Sequence, residues 1–146
     1  MLRLISLFFC LLVLCPVLFP IVPAAQAATV GKQTGLPVPR YVSLRSGEVN
    51  VRAGPGSRYP IEWVFKRRSL PVEVVAEFDT WRKIRDFEGT EGWVHQSMLS
   101  GRRMIQVIGQ IRTLRRDPGS SAPAVARMEP GVLGNLEDCQ HKWCEI

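Results

Sequence analysis

The chain has 146 residues, 46% of them apolar and 22% charged, and carries a formal net charge of +6. That length holds one ordinary domain or two very small ones with thin cores, which excludes large enzymes. The cationic clusters Lys66-Arg67-Arg68, Arg102-Arg103 and Arg112 with Arg115-Arg116 suit an anionic partner, and equally a solvated face that keeps a small protein soluble.

At the N-terminus Arg3 precedes an almost wholly apolar run from Leu4 to Val22, and Ala25-Gln26-Ala27 puts small residues where a signal peptidase reads. Residues 1–27 are therefore expected to be a cleaved signal peptide. Removal leaves 119 residues and a net charge of +5 in an exported protein, periplasmic or extracellular. The alternative is an uncleaved anchor, since the run approaches the ~20 residues that span a bilayer, but Pro16 and Pro20 interrupt it. Leu14 is too large for the small-residue context of a lipidated Cys15. Membrane contact is expected only in transit, and outside the cytoplasm nucleic acid is a poor candidate partner.

Residues 28–39 read as a flexible leader, because Gly31 to Pro39 mixes Gly, Lys, Gln, Thr and two prolines without periodicity. Short β-rich runs follow at Tyr41 to Leu44, Val49 to Arg52, Ile61 to Phe65, Leu70 to Phe78, Trp81 to Arg85 and Gly92 to Val94. Turn residues separate them, among them Ser46-Gly47, Ala53-Gly54-Pro55-Gly56, Asp79-Thr80 and Glu88-Gly89. One tight helical turn is expected at Gln96 to Leu99. So many strands in so few residues favour a closed or nearly closed all-β barrel, because closure protects strand edges.

The segment Val49 to Ser57 returns 63 positions later as Arg112 to Ser120, and Trp81 recurs as Trp143 at an offset of 62. The chain thus reads as a complete unit at 40–104 and a partial repeat at 105–146, which stops before any counterpart of Gly92-Trp93-Val94. Cys139 and Cys144 read as a disulfide in an oxidising compartment. At the repeat offset they replace Glu77 and Arg82, as though two copies of one hairpin used a disulfide and an exposed ion pair at the same cross-strand position. Cys139, His141 and Cys144 as metal ligands supply three donors where a closed zinc site needs four.

In this order Val49-Asn50-Val51-Arg52-Ala53-Gly54-Pro55-Gly56, Trp81-Arg82-Lys83-Ile84-Arg85, and Gly92-Trp93-Val94 followed by Met98-Leu99 resemble the bacterial SH3-like (SH3b) family over about residues 41 to 100. The resemblance implies a small SH3-like β-barrel used for binding, with cell-wall peptide or glycan, or an envelope protein, as partner, and no cofactor.

The alternation along Val49 to Arg52 points Val49 and Val51 inward, with Asn50 and Arg52 facing out or closing the turn. Gly54, Pro55 and Gly56 are explained by that turn alone. If Ile84 is core, Trp81 faces outward, and Trp93 and Val94 pose the same choice. Tyr59, Trp63, Trp81 and Trp93, with Arg52 or Lys83 at the edge, are the candidates for a binding groove, because such rings give contact area at little entropic cost. Trp63 shares the parity of Ile61 and Phe65, so core packing is its first expectation.

No catalytic constellation is visible. His95 follows a strand near the rim, His141 sits at a hairpin tip, neither has a Cys or Ser partner, and strand faces and turns account for Glu73, Glu77, Asp79 and Asp86. Besides a non-catalytic wall-binding module, two alternatives remain: a scaffold whose incomplete repeat is completed by a protein partner, and a truncated gene product.

Overall fold

Fifteen short strands and one 3₁₀ turn make up the described part of the protein, residues 29–146 of a computed structural model. The expected signal peptide lies outside the described residues. A hairpin of β1 (Thr29–Val30) and β2 (Pro37–Val38) precedes the first unit. That unit comprises β3 (Arg40–Leu44), β4 (Val49–Arg52), β5 (Ile61–Phe65), β6 (Pro71–Phe78), β7 (Trp81–Arg85), β8 (Glu91–His95), a 3₁₀ turn (Gln96–Met98) and β9 (Leu99–Ser100). They form one antiparallel sheet in the order β5-β4-β8-β7-β6-β3-β9, the all-β SH3-like barrel the sequence leads one to expect.

Alternation decides which side chains fill it. Val49 and Val51 of β4, Val72 and Val74 of β6, Ile84 of β7 and Val94 of β8 are all buried, and with Val42, Leu44 and Leu99 they make the core, against which Phe65 and Leu70 pack. The barrel closes tightly at β8, because a Cβ on Gly92 would stand 2.3 Å from Val51 Cγ1 and 3.1 Å from the Arg52 carbonyl oxygen. Only glycine lets that strand lie against β4.

The remaining strands are β10 (Met104–Gln106), β11 (Arg112–Arg115), β12 (Ala124–Met128), β13 (Leu133–Asn135), β14 (Asp138–Gln140) and β15 (Trp143–Glu145). They repeat three pairings of the first unit, those of β3 with β6, β4 with β5 and β6 with β7. β11 and β12 pair as β4 and β5 do, with the register shift of Val51/Arg52 recurring at Leu114/Arg115. β10 and β13 keep the register of β3 and β6, and the N–H of Val107 donates to Val132 O (2.9 Å) as that of Leu44 does to Leu70 O (3.0 Å). The Arg52 guanidinium donates to Tyr59 O at 2.7 Å and that of Arg115 to Ala122 O at 2.6 Å. Cys139 and Cys144 face each other in register, as Glu77 and Arg82 do, and are joined in a disulfide. The repeat even compensates internally. A Cβ on Gly54 would meet the Tyr59 ring at 2.5 Å, and where Asp117 replaces Gly54 in the second copy, Ala122 replaces Tyr59.

Three expectations need correction. Where a flexible leader was expected, the chain forms the β1–β2 hairpin, with Val38 buried. This segment is fastened to Glu77, whose carboxylate accepts the N–H groups of Gln33 and Thr34, each at 3.1 Å, and the Thr34 hydroxyl at 2.7 Å. These bonds join residues more than forty positions apart, which no local pattern records. The Glu77–Arg82 pair is not exposed: the side chains are 2% and 4% accessible, Arg82 Nε lies 3.7 Å from Glu77 Oε1, and Arg40 approaches the same oxygen more closely, at 2.8 Å. Trp63 is 55% exposed rather than core. It pairs with Val51 and so lies on the core-side face, but β5 ends the sheet and carries the ring past the packed interior.

Burial by itself would push the Glu77 carboxyl up; the hydrogen bonds from Thr34, Arg40 and the backbone of Gln33 and Thr34 outweigh it and hold the group below its ordinary range. A carboxyl lowered on folding contributes stability that is full above its unfolded value of about 4.3 and is lost as the pH falls through the folded value. Glu77→Gln should cost about 3 kcal/mol at neutral pH, since Arg82 stays buried without its counter-charge. It should also flatten the acid limb of the stability curve; urea midpoints followed by tryptophan fluorescence from neutral to acid pH measure both. Gly54→Ala should destabilise by about 2 kcal/mol through overpacking. In a Tyr59→Ala background the same change should cost under about 0.5 kcal/mol, and the double-mutant cycle by urea denaturation tests the coupling.

Candidate functional site

Residues paired directly across antiparallel strands project to the same face, so the registers of β6, β7, β8 and β4 lay out the outer wall of the barrel in rows. One row runs Phe78, Trp81, His95; the next runs Ala76, Lys83, Trp93, Arg52; a third runs Tyr41, Glu73, Arg85, Glu91. Ile84 and Val94 are fully buried on the opposite side of β7 and β8, which turns Trp81 and Trp93 outward, each half-buried. Trp81 meets the His95 ring edge-on, with centroids 5.5 Å apart and planes at 79°. The His95 ring is steadied in turn by Ser97, whose hydroxyl lies 2.7 Å from Nδ1.

Four of the six sequence candidates, Trp81, Trp93, Lys83 and Arg52, therefore share one face. Tyr59 borders it, its carbonyl held by Arg52, but its ring packs over the turn at Gly54 and Gly56, a structural role. Trp63 lies on the other face of the sheet. Sequence reasoning missed Phe78, 58% exposed beside Trp81, and the pairing of His95 with Trp81. The signal was available in part: Asp79-Thr80 as a two-residue turn places Phe78 and Trp81 opposite each other.

The charged end of the face is internally compensated. Lys83 reaches Glu91 at 2.5 Å, and Arg85 bridges Glu73 at 2.6 Å and Glu91 at 3.8 Å. The hydrogen bond from Lys83 outweighs partial desolvation and holds the Glu91 carboxyl below its ordinary value. An electrically balanced end beside an aromatic end suits recognition by stacking and hydrogen bonds more than capture of a highly charged polymer. A further cleft of about 450 Å³ lies where the outer wall meets the second copy, lined by Tyr41, Phe87, Ile105, Ile108 and Leu136 among others.

The four carboxylates that could be imagined as an acid–base pair have other occupations. Glu73 binds Arg85 and Glu77 the N-terminal hairpin; Asp79 occupies the β6–β7 turn at φ 48°, and Asp86 accepts the N–H groups of Glu88 and Thr90. Cys139 and Cys144, being disulfide-bonded, offer no thiolate beside His141, and no cluster of three or more His, Cys, Asp or Glu able to hold a metal ion occurs among the described residues.

No curated protein gives a significant match to the chain. The profile of the bacterial SH3 domain matches two segments, residues 45–101 and 109–146. The first covers the barrel from just after β3 to just past β9, and the second runs from just before β11 to the last residue. With well over half of its residues matched, and with two copies built on one strand register, the chain belongs to the bacterial SH3 domain family.

Proposed function

We propose that the protein is an exported, non-catalytic binding module that recognises a cell-wall peptide or glycan through the outer wall of β6, β7 and β8. The observation that carries this reading is the set of outward rings, Phe78, Trp81, His95 and Trp93, on a wall whose inner side is filled by aliphatic residues. Barrel packing does not need those rings outside. A half-exposed aromatic strip bordered by Lys83 and Arg52 suits an extended ligand that stacks a sugar face or peptide plane and hydrogen-bonds at its edges. Membership of the family supports binding as the general activity. Export rests on the residues before Ala28, and localisation outside the cytoplasm follows from that reading. A protein of the envelope is the alternative partner, and the assay separates the two.

The mature chain is incubated with purified sacculi and, separately, with envelope extract. Trp81→Ala and Trp93→Ala should each weaken saturable sacculus binding at least tenfold, as truncation of a central aromatic anchor does, while Trp63→Ala on the other face leaves it within twofold. Specific retention of one envelope protein with no sacculus binding would replace the wall ligand by a protein. Binding that survives both tryptophan changes and disappears at a few hundred millimolar salt would assign it to the basic clusters, screened over ~3 to 10 Å.

A further inference from the structure

One strand edge is treated differently in the two copies. Among the described residues β5 ends the seven-stranded sheet and pairs only with β4, and its counterpart β12 pairs only with β11, each with the same register shift. β5 lies inside the complete barrel, with described residues on both sides of it, and no backbone hydrogen bond among them takes Glu62 or Val64 to a segment outside the sheet. An open edge templates further strands, and proteins blunt such edges with charge. Arg127 does this in β12, standing where β5 has Val64, while Ala124 and Ala126 replace Ile61 and Trp63. β5 instead keeps its apolar set in the open, with Ile61 46%, Trp63 55% and Val64 40% exposed.

We propose that β5 pairs antiparallel with β5 of a second copy of this chain, centred on Val64, so that Trp63 faces the other molecule's Phe65 and Glu62 faces its Lys66, the residue just after the strand. In this register the strand is complementary to itself. Two-fold symmetry makes each pair occur twice, which sets two opposite-charge pairs and two aromatic pairs about Val64 against Val64. Neither Glu62 nor Lys66 forms an ion pair among the described residues, so both are free to make these. A register shifted by two sets Glu62 opposite Val64 in one direction and Lys66 opposite Val64 in the other, and covers a charge with an aliphatic side chain each time. β12 does not share the complementarity: in the same register Arg127 would face Arg127, and Glu129 would face Val125. Pairing also gives a use to Trp63, a tryptophan of core parity left outside the packed interior. Main-chain bonds along the edge supply affinity, and the alternate side chains select the partner. The edge is separate from the Trp81 and Trp93 wall, and failure of wall binding leaves it standing.

Sedimentation equilibrium of the mature chain over a range of concentrations at low ionic strength measures the association, and amide hydrogen exchange locates it. The unaltered chain should pass from monomer to dimer, with exchange slowing at 62–66 as concentration rises. Glu62→Lys and Lys66→Glu should each weaken self-association at least about tenfold, because each turns both charge pairs into like-charge pairs. An equimolar mixture of the two variants should bring it back to within about threefold, since across the mixed dimer every reversed charge meets its opposite; a variant that had merely misfolded would not be rescued in this way. Arg68→Glu should leave association within about twofold, its position lying outside the paired residues. A monomer at every concentration, no recovery on mixing, or protection at 124–128 or 143–146 in place of 62–66 would overturn the proposal. A larger loss from Arg68→Glu than from Lys66→Glu would also overturn it, in favour of a shifted register.

Discussion

The structure depends on the insertion of one strand. β8 bonds to β7 along its whole length and reaches β4 with no side chain at Gly92, and by doing so it covers Val51 and Ile84 and delivers Val94 to the same core. In a barrel this small the hydrophobic contribution comes from about nine aliphatic side chains, so losing the cover of one strand exposes a large share of it. The same insertion turns Trp93 outward beside Lys83 and Arg52. Core and candidate binding wall are therefore two faces of one event.

The two copies show which features of the unit are local. Strand registers, the shift in β4 and β11, the arginine that ties the following turn, and the two-residue β6–β7 and β14–β15 tips survive although the side chains largely differ. At the paired position Glu77/Arg82 and Cys139/Cys144 the solutions diverge physically. A disulfide closing so short a loop contributes about 2 kcal/mol mainly by restricting the unfolded chain. The buried glutamate instead collects hydrogen bonds from the N-terminal hairpin and an ion pair from Arg40, so it joins distant segments that a disulfide at that point would leave separate. The complete barrel thus gains a docked N-terminal hairpin, and the partial copy gains a hairpin braced on its own.

The outer wall also shows how charge and aromatic area are divided. Lys83, Arg85, Glu73 and Glu91 neutralise one another, which leaves the rings of Trp81, Trp93, Phe78 and His95 as the distinctive surface. The net positive charge of the chain resides largely elsewhere, in clusters such as Lys66-Arg67-Arg68 and Arg115-Arg116, so overall charge says little about what this wall recognises.

By itself the sequence determined the all-β class, nearly every strand of the first unit, the repeat and its offsets, the opposition of Cys139 and Cys144, the inward sense of Val49 and Val51, and the placing of Trp81 and Ile84, and of Trp93 and Val94, on opposite faces, while the burial of Ile84 and Val94 in the barrel is what turns the two tryptophans outward. These are properties of period-two alternation, turn chemistry and self-similarity, which act over a few residues and leave a pattern in the chain. Tertiary structure alone decided the rest. Trp63 keeps the parity of a core residue yet lies open because β5 is the last strand of the sheet, and strand order is not written in any single strand. The leader is ordered because Glu77 reaches it from more than forty residues away, and His95 joins Trp81 because β8 settles against β7. Burial and partnership at these places depend on which strands become neighbours, a property of the closed barrel rather than of the local sequence.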